Sequence, residues 1–397
     1  MSGKMLCPEN IHPEAFKITE QLQREGFKTY LVGGCVRDLL SGIAPKDFDI
    51  GTMAHPKQIK RVINDSYIIG KRFRLVLVKR GTELFEVATF RREATAEETA
   101  AATTEDRPLG DNIFGSPQED AMRRDFTLNG LFYDPVQDEL IDYCNGLPDV
   151  KNHIVRMIGD PDKRLQEDPI RILRALRFSH RLDFKIEPQL REAMRVHASS
   201  LKNSVLPRRR EEMLKLLRLN DPTLALMEAH DLHILEHIFP SLEKIHQNPE
   251  QLIEFNMYLR KIRSFVVDIE NPAELFGYLM LAYYRSTIEQ DPFKKVYAHD
   301  ILKDENLKKF MNQELGMYNV EQSLFAKALE FQARLKKLNG DTNFMNDSVP
   351  LALQFAKADH LLSSEKFHEW EMALEKFNPR PKHNSHNKRR RPRRRRN

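Results

Sequence analysis

Residues 31–52, LVGGCVRDLLSGIAPKDFDIGT, bring a glycine pair, an arginine and two aspartates one residue apart into 22 positions. The apolar run 30–32 leads into Gly33-Gly34 and then into a short helical segment over 36–40. That order reads strand, turn, helix, with glycines where backbone must approach something closely. After a turn at 42–45 comes Asp47-Phe48-Asp49-Ile50. Alternation along a strand predicts that Asp47 and Asp49 face one way while Phe48 and Ile50 point into the core. Two neighbouring carboxylates repel unless a cation sits between them. The cation that takes all-oxygen ligands beside phosphates is Mg²⁺. A lone D-x-D is common on exposed strand ends and a lone Gly-Gly is only a turn. Together, in this order and with Arg37 between them, they predict a nucleotide site.

Working outward, Pro13 opens a helix over 13–25 with Phe16, Ile18 and Leu22 on its apolar side. A second helix is expected over 56–63. Runs rich in β-branched residues at 67–69, 73–78 and 84–90, the last two separated by a Gly81 turn, predict strands of a small mixed sheet with helices on one side. Residues 93–110, EATAEETAAATTEDRPLG, lack an apolar face and read as a mobile surface loop, of a length that acts on substrate when it lies beside a site. A helix is expected over 121–131, then a hairpin over 134–143 closed by Asn145-Gly146. Residues 167–180 predict one helix with Arg171, Arg174 and Arg177 three residues apart, and Ile172, Ala175, Leu176 and Phe178 on its other side. An arginine stripe is ordinarily a solvated face; this one has no interleaved acids and opens on Glu167-Asp168. Beyond 185 only helices are expected, over 188–199, 209–219, 222–230, 273–286 and 322–338.

A chain of 397 residues, 41% hydrophobic and 30% charged, fits a soluble protein of two or three domains. It has no apolar run of about 18 residues, so no membrane span is expected, and MSGKMLCPEN has no apolar core of a secretory signal. Cys7, Cys35 and Cys144 lack C-x-x-C spacing, which argues against zinc and fits a reducing cytoplasm. The net charge of +5 hides an asymmetry. Ten Lys/Arg and no acid fall in 379–397; taking them from the 63 in the chain leaves 53 basic against 58 acidic side chains. One basic, disordered tail thus supplies the whole excess.

Four motifs, LVGGCVRDLLSG with KDFDIGT (31–52), EVATFR (86–91), RRDFTLNGLFYD (123–134) and EDPIRILRALRF (167–178), resemble the class II nucleotidyltransferases of the DNA-polymerase-β-like superfamily. These are the bacterial poly(A) polymerases and the eubacterial and eukaryotic CCA-adding enzymes. The resemblance covers roughly residues 28–235. It implies an α+β fold: an N-terminal extension and helix (1–27), a nucleotidyltransferase head (28–150), a helical neck that binds nucleotide and RNA (151–235), a helical body (236–377) and an arginine-rich RNA-binding tail (378–397). It implies that Asp47 and Asp49 hold two Mg²⁺ ions, one lowering the pKa of an RNA 3′-hydroxyl and the other clamping the triphosphate. Gly33, Gly34 and Arg37 match triphosphate-contacting positions, for which a planar guanidinium is suited. Asp125 falls in a motif regarded as catalytic or ribose-contacting, with Arg124 beside it. Glu86 is a candidate third carboxylate. Asp168 and Arg171 match residues that offer hydrogen bonds to the incoming base, with Arg174 and Arg177 as phosphate or structural partners.

Poly(A) addition and CCA addition share all four motifs. Residues 70–76 with 86–91, the stretch DNIFGSPQEDAMRRDFT (111–127) and the tail (Arg389, Arg390, Arg391, Arg393, Arg394, Arg395 and Arg396) favour poly(A) polymerase. A disordered polycation retains RNA 3′ ends, whether of mRNA fragments, small RNAs or tRNA precursors, through counterion release with little sequence preference. Leu77 stands where many poly(A) polymerases have histidine. His230-Asp231 and His299-Asp300 lack the further ligands a phosphohydrolase site needs. The expectation is an ATP- and Mg²⁺-dependent RNA adenylyltransferase, with CCA addition, a catalytically decayed RNA binder and transfer to another acceptor as the alternatives.

Overall fold

The computed structural model describes residues 8–70, 75–94, 113–266, 268–336, 338 and 345–376. Expectations for 71–74, for the loop beyond Ala94 and for the tail at 378–397 lie outside the described residues. Helix α1 (Pro13–Arg24) starts where His12 Nδ1 accepts the Glu14 N–H and Pro13 presets the backbone. Strand β1 (Thr29–Val32) follows, then α2 (Gly34–Leu40), β2 (Ile50–Thr52) and α3 (Pro56–Val62). Strands β3 (Ser66–Ile69), β4 (Leu75–Arg80) and β5 (Glu83–Thr89) come next, then α4 (Pro117–Met122), β6 (Leu131–Asp134) and β7 (Glu139–Asp142). They form one seven-stranded sheet in the order β3-β4-β5-β2-β1-β6-β7. All its pairs are antiparallel except β2 with β5, so the sheet is mixed.

Register places the site. Leu31 pairs with Ile50, so the end of β1 lies beside the start of β2. Ile50 pairs in parallel with Val87, which puts Glu86 beside Asp49. Val32 pairs with Phe132, and the Gly33 N–H donates to the Leu131 carbonyl at 3.2 Å. One end of the sheet therefore collects the Gly33 turn, Asp49, Glu86 and the segment leading into β6. Behind it, Val32, Phe90, Ala121 and Phe132 form a buried cluster, with the Phe90 and Phe132 rings stacked at 5.7 Å.

Several local expectations change. Asp47, Phe48 and Asp49 precede the strand, which begins at Ile50, although the Val32 N–H still donates to the Asp49 carbonyl at 3.0 Å. Ile50 is buried as expected, but Phe48 is half-buried, its ring 6.2 Å from that of His12. The helix expected over 121–131 is instead α4, a bend and a 3₁₀ turn (Thr127–Asn129), because LFYD joins the sheet through β1. The hairpin turns at 135–138, where Asp134 Oδ1 accepts the Val136 and Gln137 N–H groups. Asn145-Gly146 instead opens helix α5 (Gly146–Lys151). The helix expected over 167–180 is two, α6 (Pro161–Glu167) and α7 (Ile170–Leu182), parted at Asp168-Pro169. Proline disfavours helical backbone in the residue before it, and Asp168 is extended (φ −147°, ψ 92°). Past 185, a two-residue strand (Lys185–Ile186) pairs with Ile154–Val155; the expected helices are otherwise present.

The chain divides into two compact units. The first holds 1–219 with 224–238, and the second holds 220–223 with 239–397. The second is helical, its longest members being Pro272–Thr287 and Asn319–Leu335. In the first unit, a Cβ at Gly51 would lie 2.3 Å from Phe90 Cε1 and 3.0 Å from Val32 Cγ1. Gly51→Ala should therefore cost about 1–3 kcal/mol by overpacking the sheet face, read as a lower denaturation midpoint with an unchanged slope.

Candidate active site

At the collecting end of the sheet, Asp49, Glu86, Arg91 and Arg124 line a cleft of about 390 Å³ together with Ile69 and Leu75. Burial raises the Asp49 carboxyl pKa and Asp47 adds to the rise, while Arg124 opposes it. Glu86 is raised first by burial, then by the charges of Asp49 and Asp47. Asp49 and Glu86 thus each feel the negative charge of their neighbours. Among the described residues no three His, Cys, Asp or Glu side chains by themselves close a metal cage. The donors here are all carboxylate oxygen, the set suited to a hard divalent cation, and Mg²⁺ completes its shell with water and substrate phosphate.

Arg124 is held toward this group from behind. Its Nε and Nη2 donate to Asp120 Oδ2 at 3.2 and 3.0 Å, its Nη1 donates to the Asn129 carbonyl at 3.1 Å, and its guanidinium lies 5.2 Å from the Phe132 ring centre. Arg123 donates to Asp120 Oδ1 at 2.6 Å, and the Arg91 N–H adds a third donor. Burial alone would raise the Asp120 pKa; Arg124 and Arg123 outweigh it and hold the carboxyl below its ordinary value. Gly33 has φ 72°, and a Cβ there would meet Arg124 Nη1 at 2.6 Å. Glycine is needed both for the backbone and for the guanidinium that rests on it.

Arg37, expected at the triphosphate, is 2% exposed and points inward. Its Nε and Nη2 donate to Asp38 Oδ1 at 2.8 and 2.6 Å, and Nη1 donates to Asn129 Oδ1 at 2.6 Å. Asn129 Nδ2 donates to Asp125 Oδ1 at 3.1 Å, and Arg174 Nη2 lies 2.8 Å from Asp125 Oδ2. At the other end Arg181 Nη2 donates to Asp38 Oδ2 at 2.8 Å. A chain of alternating charge and amide thus runs from Arg181 to Arg174, so Asp125 is buried within it. Among the described residues, Arg174 Nε and Asp125 Oδ2 are buried without a hydrogen-bond partner.

The arginine stripe of α7 meets acids from other elements: Arg171 with Glu167, Arg174 with Asp125, Arg177 with Glu212 and Arg181 with Asp38. Asp168 does not pair with Arg171. It accepts two bonds from Arg208, Nη1 to Oδ1 at 2.9 Å and Nη2 to Oδ2 at 2.8 Å. Arg164, one turn earlier, donates to the carbonyls of Arg123 and Arg124, both at 2.8 Å, and ties α6 to the cleft. Its Nη1 also reaches Glu93 at 2.6 Å. Arg208, Arg164, Asp120, Asn129 and Asp38 were not singled out from sequence. Asp120 had a signal there, since it stands three and four residues before Arg123 and Arg124; the other four each also bond a residue at least 40 positions away, which only the fold brings near. The tail arginines lie outside the described residues.

A model described as the poly A polymerase head domain matches residues 29–156, and one described as "Probable RNA and SrmB- binding site of polymerase A" matches 183–245. Poly(A) polymerase I of Haemophilus influenzae is 37% identical over 293 residues, 72% of this chain and 65% of that protein. Poly(A) polymerase I of Salmonella typhi is 39% identical over 241 residues, 59% of this chain and 52% of that one. A CCA-adding enzyme of Ligilactobacillus salivarius is 34% identical over 252 residues, 62% and 60% of the two chains. The chain thus spans 52–65% of the length of these curated relatives. The solved Thermotoga maritima CCA-adding enzyme, complexed with tRNA, is similar in fold, with a TM-score of 0.59 at 20% identity over 93% of this chain and 83% of that one.

Gly33→Ala should cost about 1–2 kcal/mol from the left-handed backbone alone and displace Arg124 from the cleft. Asp49→Asn should raise the melting temperature measured in chelator. A carboxyl whose folded pKa is raised loses stability as pH climbs from its unfolded to its folded value, so a neutral amide removes that loss at pH 7.

Proposed function

We propose that this chain, which belongs to the nucleotidyltransferase family of poly(A) polymerases and CCA-adding enzymes, adds AMP from ATP to RNA 3′ ends without a template. The 3′-oxygen attacks the α-phosphorus, the bond to the β-phosphate oxygen breaks, and pyrophosphate leaves. The observation that carries the reading is the convergence of Asp49, Glu86 and Arg124 in one cleft beside the Gly33 turn. Asp47 and Asp49, with Glu86 as a third carboxylate, would hold two Mg²⁺ ions. When bound, the metal supplies Lewis acidity at the phosphate and lowers the pKa of the attacking hydroxyl.

The chain's own side chains supply position and charge. Arg124, braced by Asp120, faces the triphosphate. Gly33 and Gly34 let backbone come close to it, and the unsatisfied Nε of Arg174 offers a further donor. Arg37 and Asp125 work from within the charge chain, holding α2 and the turn before β6 against α7. Asp168 presents its carboxylate toward the base from the grip of Arg208, with Arg171 on the neighbouring turn. The head (28–150) makes the bond, the neck (151–235) selects the nucleotide, and the body and basic tail (236–397) hold RNA, whose decay and processing the product serves in the cytoplasm.

Relatives named poly(A) polymerase I at 37–39% identity support ATP as sole substrate; CCA addition is the second reading, favoured by the CCA-adding relatives. The test is incubation with Mg²⁺, a generic RNA and each NTP in turn. Long tails from ATP alone are expected; three added residues on tRNA lacking CCA, with CTP required, would overturn the poly(A) reading. Asp47→Ala should lower incorporation by about 10³-fold or more, the size of several kcal/mol of lost transition-state stabilisation.

A further inference from the structure

In the second compact unit, cations sit over aromatic rings around one end of helix Asn319–Leu335. Lys336 Nζ lies 5.0 Å from the centre of the Phe293 ring, Lys295 Nζ 4.6 Å from Tyr297, and the Arg334 guanidinium 5.3 Å from Phe331. Phe293 is 60% exposed and Tyr297 42% exposed. An ammonium covers part of each ring and leaves much of the rest to solvent. A cleft of about 750 Å³ is lined by Phe293, Lys295, Arg334 and Lys336. A second, of about 860 Å³, is lined by Val320, Lys327, Phe331 and Arg334. The two share Arg334 and Glu330, so they meet along one helix.

The charge around these clefts is net positive, with four cations and two acids among the lining residues. Lys295, Lys327, Arg334 and Lys336 have no carboxylate partner among the described residues. Glu330, between them, accepts the Ala298 N–H at 3.0 Å, and the other lining acid is Asp347. The floor is braced. Gln332 donates to the buried Asp359, which also accepts from Tyr258 and from Arg285 at 2.8 Å; Arg285 in turn donates to Gln332 at 3.2 Å. The helix carrying Lys327 and Arg334 is thereby fixed to Pro272–Thr287 and to the helix that ends before Asp359 (Val349–Ala358), while Phe293, Lys295 and Tyr297 stand on the segment 291–297, whose end is tied to that helix by the Ala298 bond to Glu330.

We propose that these joined clefts, with Tyr297 beside them next to Lys295, are a site for single-stranded RNA, separate from the sheet-end cleft, with bases stacking on Phe293 and Tyr297 and phosphates meeting Lys295, Lys327, Arg334 and Lys336. Exposed aromatic faces beside cations without carboxylate partners match the chemistry of a strand whose bases are unstacked and whose backbone is charged. A duplex hides its base faces, and an acidic peptide would satisfy the cations while leaving the ring faces bare. The proposal rests on the reading of the chain as an RNA-extending enzyme and adds a second hold on that RNA.

The experiment uses the full chain and a long fluorescent oligoadenylate, with fluorescence anisotropy for binding and ATP incorporation for activity. Phe293→Leu and the double variant Phe293→Ala/Tyr297→Ala should each weaken binding, the double by about tenfold or more, and raise KM for long RNA while kcat at saturating RNA stays unchanged. Lys336→Gln should flatten the log–log salt slope by about 0.7. Unchanged binding in variants of unchanged melting temperature, with the parent chain extending RNA normally, would overturn the site and leave the transferase reading intact. A parent chain that incorporates no nucleotide yet loses RNA binding in the variants would overturn the transferase reading and support the site. An equal loss for duplex RNA of the same length, or displacement by polyglutamate as effective as by oligoadenylate, would also overturn the site, because stacking would then play no part.

Discussion

Negative charge gathered at one end of a sheet is the constraint on which the first unit is organised. Asp49 and Glu86 sit partly desolvated beside one another because β2 and β5 run parallel in that register. Such a group is costly to the fold unless cations surround it. Arg124 is the cation whose charge acts on Asp49, and Asp120 and the Asn129 carbonyl hold it in place. Gly33 leaves the room that this guanidinium occupies. The arrangement offsets part of the charge and leaves the remainder facing the cleft.

The same logic accounts for helix α7. On the chain it looks like an amphipathic helix with an exposed arginine stripe; in the fold each arginine finds an acid from a different element. Arg174 and Arg181, two turns apart, grip the ends of a polar chain that passes through Asp125, Asn129, Arg37 and Asp38. A buried network of this kind is strong when every member is satisfied and costly when one is not. It makes α2, the turn before β6 and α7 one mechanical piece. Asp168 stands at the joint of that piece, on extended backbone imposed by Pro169, with Arg208 fixing its carboxylate.

Much of this was legible in residues 31–52 alone. Glycine placement foretold the strand, turn and helix of β1, Gly33 and α2, because that is a local property of backbone sterics, whereas alternation misplaced Asp47 to Asp49, which precede the strand. The later elements were read less well. The stretch at 121–131 has helical spacing, yet LFYD becomes a strand, since pairing with Val32 and packing on Phe90 outweigh local propensity. The single helix expected over 167–180 ignored how firmly Pro169 breaks it.

By itself, then, the sequence determined the charge types and the glycine turn that one end of the sheet collects. The tertiary structure decided which face inward and which outward. Arg37 and Asp125 read as contact residues, but their partners, Asn129 and Arg174, come from distant stretches and draw them inside. Arg208 and Arg164 gave no local sign, because a bidentate pair across 40 positions is created by helix packing. Charge type is written in the chain; charge pairing depends on distances that only the folded chain sets.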